Sequence, residues 1–146
     1  MKPSVESSRT QEKKYIFVVE TDEVVRSALQ FMLRSENETC GLASLEQAYA
    51  KGREWTPDLV LLGAAIVQAH GLHVLGDIAA HLRGAKILLV ADSPDDPLAQ
   101  ACLACGAHDV LGKPIAVKSV RSKVDVLLVR RKLPVATSDV LATALR

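Results

Sequence analysis

The sequence has no block of like charge. Eighteen lysines and arginines stand against 17 aspartates and glutamates, a formal net charge of +1. A nucleic-acid surface needs clustered cations, so direct nucleic-acid binding is not expected. No apolar run approaches the roughly 20 residues that cross a bilayer as a helix, so no membrane span is expected either. The first residues are polar and charged and lack the apolar core of a signal peptide. Cysteines are few: three, an odd number, which fits a reducing compartment better than a disulfide framework. A glycine-rich phosphate loop is also missing. What is present, 49% apolar and 24% charged residues over 146 positions, suffices for one soluble domain, expected to be cytoplasmic.

Three segments follow from the pattern. Residues 1–14 (MKPSVESSRTQEKK) hold one isolated apolar residue after Met1 and are expected to form a flexible leader. Residues 15–129 alternate between short apolar runs and helical stripes. Residues 130–146 break that rhythm at Pro134 and are expected to form an extension or linker. Ser138-Asp139 there can cap a short helix carrying Val140, Leu141, Ala144 and Leu145.

Within the central segment, YIFVV (Tyr15 to Val19) predicts a first strand, and Thr21 or Asp22 a cap for the helix behind it. That helix carries Val24, Val25, Ala28, Leu29, Met32 and Leu33. A weak strand is predicted near Thr39 to Leu42, and Ser44 as the cap of a helix with Leu45, Ala48 and Tyr49. Leu59 to Leu62 is a third strand. A loop from Gly63 to His70 leads to a helix with Leu72, Val74, Leu75, Ile78, Ala79 and Leu82. Ile87 to Val90 is the fourth strand, followed by a helix with Leu98, Ala101, Cys102 and Cys105. A short fifth strand, Asp109 to Leu111, precedes a last helix with Val117, Val120, Val124, Leu127 and Leu128.

Continuously apolar strands alternating with helices imply a parallel sheet covered on both faces. The predicted fold is α/β: a doubly wound, five-stranded parallel sheet of the flavodoxin-like type. Ligands in such folds sit at the carboxyl ends of the strands. That rule selects Glu20 to Asp22, Gly63, Ala91-Asp92 and Lys113.

The ordered segments YIFVVETDEVVRSAL, PDLVLL, ILLVADSPDD and GAHDVLGKPI resemble the receiver domain of bacterial two-component response regulators, over roughly Lys14 to Val129. The resemblance implies a signalling module that transfers a phosphoryl group onto its own aspartate. It also implies an acidic pair holding Mg²⁺, a hydroxyl after the fourth strand and a Lys-Pro after the fifth. Magnesium takes hard oxygen ligands and neutralises phosphoryl charge, while the lysine and the hydroxyl hold phosphoryl oxygens. This sequence departs from that pattern at most of those positions. The acidic pair is Glu20-Thr21, beside Asp22; the acceptor position is Gly63; the hydroxyl position is Ala91. The proline of the following loop is Val67, and Val110 stands at the aromatic switch position. Lys113 and Pro114 are intact. Asp58 cannot replace the acceptor, because four intervening residues at roughly 3.3 Å each put it at the other end of the sheet.

A degenerate pseudo-receiver is therefore expected, with no catalytic residue, no cofactor and Mg²⁺ binding lost or weak. Its function would be phosphorylation-independent signalling through a protein partner or a homodimer. The expected contact is the face formed by the fourth helix, fifth strand and last helix. Two alternatives remain open: a switch phosphorylated at another residue, and a sensor of a small ligand or anion in the space vacated at Gly63 and Ala91. Gly63 also has a plainer reading, a turn that needs positive φ. Lys113 is expected to pair internally with Glu20 or Asp22. Cys102 and Cys105 have CxxC spacing but lie in an apolar stripe and are expected to be buried hydrophobes. His70 and His73 have ligand-like spacing without partners in sequence, and are expected at the surface. Trp55 is expected to pack on a loop, and Arg130 to Lys132 to be a solvated helix end.

Overall fold

The computed structural model describes residues 13–128; the expectations for residues 1–12 and 129–146, including the capped helix near Ser138, lie outside the described residues. Eleven elements follow in the order β1 (Lys14–Val19), α1 (Glu23–Leu33), β2 (Asn37–Leu42), α2 (Leu45–Gly52), β3 (Leu59–Gly63), α3 (Ala64–His70), α4 (His73–His81), β4 (Lys86–Ala91), α5 (Pro97–Ala104), β5 (Asp109–Gly112) and α6 (Val117–Leu128). The strands form one sheet in the order β2-β1-β3-β4-β5, and every pairing is parallel. This is the predicted doubly wound fold.

Side chains alternate across a strand, and here both faces are buried. Phe17, Val19, Val60, Leu62, Ile87, Leu89, Ala91 and Val110 face one way, into a core shared with α2, α3, α4 and α5. Ile16, Val18, Leu59, Leu61, Leu88, Val90 and Leu111 face the other, onto α1 and α6. The runs IFVV (Ile16 to Val19) and ILLV (Ile87 to Val90) thus carry no polar alternation because neither of their faces meets water.

Local chemistry sets the element ends. The Asp22 carboxylate accepts from the backbone N–H groups of Val24 and Val25 and caps α1. Ser44 Oγ accepts from Gln47 N at 3.2 Å and caps α2. Asn37, buried at the start of β2, donates from Nδ2 to the Leu33 carbonyl at 3.0 Å and so satisfies an open carbonyl at the end of α1. Gly71 separates α3 from α4 with φ 105°, a conformation that a Cβ would strain.

Several predicted details are corrected. The segment from Gly63 to His70 is not a loop: α3 starts directly after β3 and buries Ile66 and Val67. At seven residues it offers too few turns for an apolar period to show in the sequence. The apolar stripe of α1 is narrower than predicted, because Val24 is 77% exposed while Leu29 and Leu33 are buried. In α5 the buried residues are Ala99 and Cys102, and Cys105 is exposed, so only one of the two cysteines is a core hydrophobe. In α6, Val120, Val124 and Leu128 are buried and Val117 is exposed. Ala79 of α4 also faces solvent.

Candidate functional site

The carboxyl ends of the strands meet where the fold class predicts a site. Gly63 pairs with Val90, Ala91 with Gly112, and Val19 with both Leu42 and Leu62. Glu20, Gly63, Ala91 and Lys113 therefore stand at the carboxyl ends of β1, β3, β4 and β5. Asp58 lies at the opposite end, where its carboxylate accepts from Tyr15 N at 2.9 Å and its backbone carbonyl from Lys86 N at 3.0 Å.

Gly63 has φ −69° and ψ 136°, ordinary extended backbone. The plain turn reading is overturned, since no positive φ demands glycine here. Crowding does. A Cβ at residue 63 would meet the Glu20 carboxylate, with Cδ 2.8 Å and Oε2 3.0 Å away and Oε1 nearer still. Real Cβ atoms essentially never approach so closely.

Glu20 is 5% exposed, the one buried charged residue among the described residues. Its Oε2 accepts from Asp22 N at 3.0 Å. Its backbone carbonyl accepts from Arg26 Nη1 at 2.7 Å. Arg26 was not singled out from the sequence. The signal was available: helical side chains lean toward the amino end, so a cation in the first turn of α1 reaches back to the strand end. Thr21 and Asp22 face solvent, and the Asp22 carboxylate is committed to its helix cap.

The expected ion pair of Lys113 with Glu20 or Asp22 is not formed. The Lys113 ammonium lies 3.5 Å from Asp92 Oδ1, at an exposed position. With side chains 38% and 85% exposed, that pair is worth little in water. The Lys113 backbone N–H bonds the Ala91 carbonyl at 3.1 Å, which ties β5 to β4 beyond their last pairing. Pro114 follows across a cis bond. Gly112 packs against Pro94, whose Cδ lies 2.7 Å from where a Cβ would stand. Val110, at the switch position, is 3% exposed and faces the core with Cys102 and Ala107.

Glu20 is turned into the space of residue 63, the Asp22 carboxylate caps α1, and Gly63 supplies no oxygen ligand from a side chain. Among the described residues no group of three His, Cys, Asp or Glu side chains is placed to hold a metal ion. That includes His70 and His73. His73 does have an acidic neighbour, contrary to the reading from sequence: Asp77 Oδ2 lies 3.8 Å from its Nε2, both exposed. Trp55 stacks on Tyr15 at 5.7 Å between ring centroids, with the Lys51 ammonium 4.4 Å from its ring centre. Both contacts lie toward the end of the sheet away from Lys113.

The response regulator receiver domain model matches residues 16–125, and the chain belongs to that family. It is 25% identical over 127 residues to the alkaline phosphatase synthesis transcriptional regulatory protein PhoP of Bacillus subtilis, matching 86% of this chain and 53% of that protein. The chain thus spans about half the length of this curated relative. Among solved structures, a response regulator from Thermotoga maritima superposes with a TM-score of 0.72 at 17% identity, over 80% of this chain and 98% of that one. The receiver domain of the sensor histidine kinase PA1611 from Pseudomonas aeruginosa, which carries a magnesium ion in its active-site cleft, gives 0.68 at 21% identity, over 80% and 98%. At these identities the likeness speaks for the fold. Among the described residues no helix is long and apolar enough to cross a membrane.

Proposed function

We propose that this receiver domain signals without phosphorylation, as a pseudo-receiver that acts by contact with a protein partner or a second copy of itself. The observation that carries the reading is Gly63 at the carboxyl end of β3, with the Glu20 carboxylate in the space where a side chain would stand. An acceptor must present a nucleophilic oxygen there, and glycine has none. Ala91 adds no hydroxyl for the phosphoryl oxygens. The exposed Asp92–Lys113 pair leaves the lysine without a buried anion to grip. Losing several parts together removes the positioning and charge neutralisation on which phosphoryl transfer depends.

A ligand can shift a two-state equilibrium only by its differential affinity for the two states. Without an acceptor, that difference has to come from a partner. The surface best suited is the one built by α5, β5 and α6, where Leu103 is 37% and Val117 48% exposed. Titrating the ¹⁵N-labelled protein with beryllofluoride and Mg²⁺ tests the reading. The amide resonances of Gly63, Ala91 and Lys113 are expected to stay in place. Saturable shifts centred on those residues would overturn it.

A further inference from the structure

The geometry points to Glu20 as the resident occupant of the acceptor position: its carboxylate, delivered from β1, fills the volume that a side chain on β3 would take. This deepens the proposed function and rests on reading Gly63 as the acceptor position. Three observations converge. The carboxylate carbon lies 2.8 Å from where a Cβ of residue 63 would stand. It is buried, at 5% exposure, rather than directed to water. It is held there by the Asp22 N–H, while Arg26 braces the Glu20 carbonyl.

The consequence is a site closed from within. The space expected to be vacated is not empty, so a small ligand has to expel Glu20 before it can enter. Restoring an acidic side chain at residue 63 alone then forces two carboxylates into one volume, where like charges repel. Glu20 and Gly63 form a matched pair: a side chain at residue 63 requires the Glu20 carboxylate to move.

A double-mutant cycle on thermal stability tests this. The Gly63 backbone is compatible with alanine, and Gly→Ala at such a position ordinarily stabilises a protein by restricting its unfolded chain. G63A in the wild-type background is nevertheless expected to lower Tm by several degrees, because Glu20 must leave. In the E20A background the same substitution is expected to be neutral or stabilising. E20D, one methylene shorter, supplies a second background should E20A fail to fold, and there the penalty is expected to shrink. As an independent readout, sodium formate is expected to raise the Tm of E20A above that seen in equal sodium chloride, and to leave wild type unmoved. Equal effects of G63A in all backgrounds, or a neutral G63A in wild type, would overturn the inference. Its failure is distinct from failure of the proposed function. Phosphoryl uptake by wild type contradicts the latter whatever the cycle gives, and an additive cycle in a protein that takes up no phosphate contradicts only the former.

Discussion

Glu20 and Asp22 are two residues apart, and their carboxylates serve different ends. Asp22 sits one residue before α1 in extended conformation, where its oxygen meets two open helix N–H groups. Glu20 has one methylene more and turns inward to Gly63. The cap was legible in sequence, because it depends on neighbours along the chain. The inward turn was not, because it depends on a gap left by another strand. Tyr49 shows the same limit. It was read as an apolar helix residue, and it does stack on His81 with 4.1 Å between ring centroids. Its hydroxyl, however, is buried with no hydrogen-bond partner among the described residues. Burial, and then the Asp77 carboxylate, raise its pKa above the ordinary tyrosine value, so the phenol stays neutral. An unmade buried hydrogen bond costs about 1–3 kcal/mol. Tyr49→Phe is accordingly expected to be neutral or stabilising by up to about 1 kcal/mol in urea denaturation, against the usual sign of a core substitution. A loss above that size would mean that the hydroxyl has a partner.

Strands and most helices were legible because burial on both faces leaves a plain signature, four or five apolar residues between polar turns. Gly63 to His70 was read as a loop because seven helical residues, AAIVQAH, are too few for an apolar period to show. Its helix forms because Ile66 and Val67 find the core beside Leu62 and Leu89 as soon as the strand ends. Val67 stands where the family has proline. In α3 that residue needs an N–H for the helix and an apolar side chain for the core. Val67→Pro is expected to destabilise the fold by roughly 3 kcal/mol or more. The check is the urea midpoint, and a variant within about 0.5 kcal/mol of wild type would show that α3 tolerates the family's loop. Helix phase was the other weak point. Val24 and Cys105 are apolar and fall at helical spacing, but they face outward, and only the packed neighbour decides which edge of a stripe is covered.

For the molecule as a whole, the receiver fold carries Gly63 and Ala91 at the carboxyl ends of β3 and β4. The sheet order, the doubly covered core and the Lys113-Pro114 turn all persist. If the domain works by contact, its information lies in surface shape. The double substitution Leu103→Asp/Val117→Asp changes two exposed residues and is expected to leave Tm within a few degrees of wild type. Self-association in size-exclusion light scattering, or retention of the native partner in pull-down, is expected to fall at least tenfold. That loss corresponds to about 1.4 kcal/mol of contact energy. Unchanged association and unchanged partner capture would move the contact to another face.

Phosphorylation independence is tested most directly by intact-mass spectrometry of the full chain after incubation with acetyl phosphate and Mg²⁺, with a phosphorylatable receiver as the positive control. The expected result is no added phosphoryl group under conditions that label the control fully, for wild type and for Gly63→Asp alike. A stoichiometric phosphoryl adduct on the wild-type protein would contradict it.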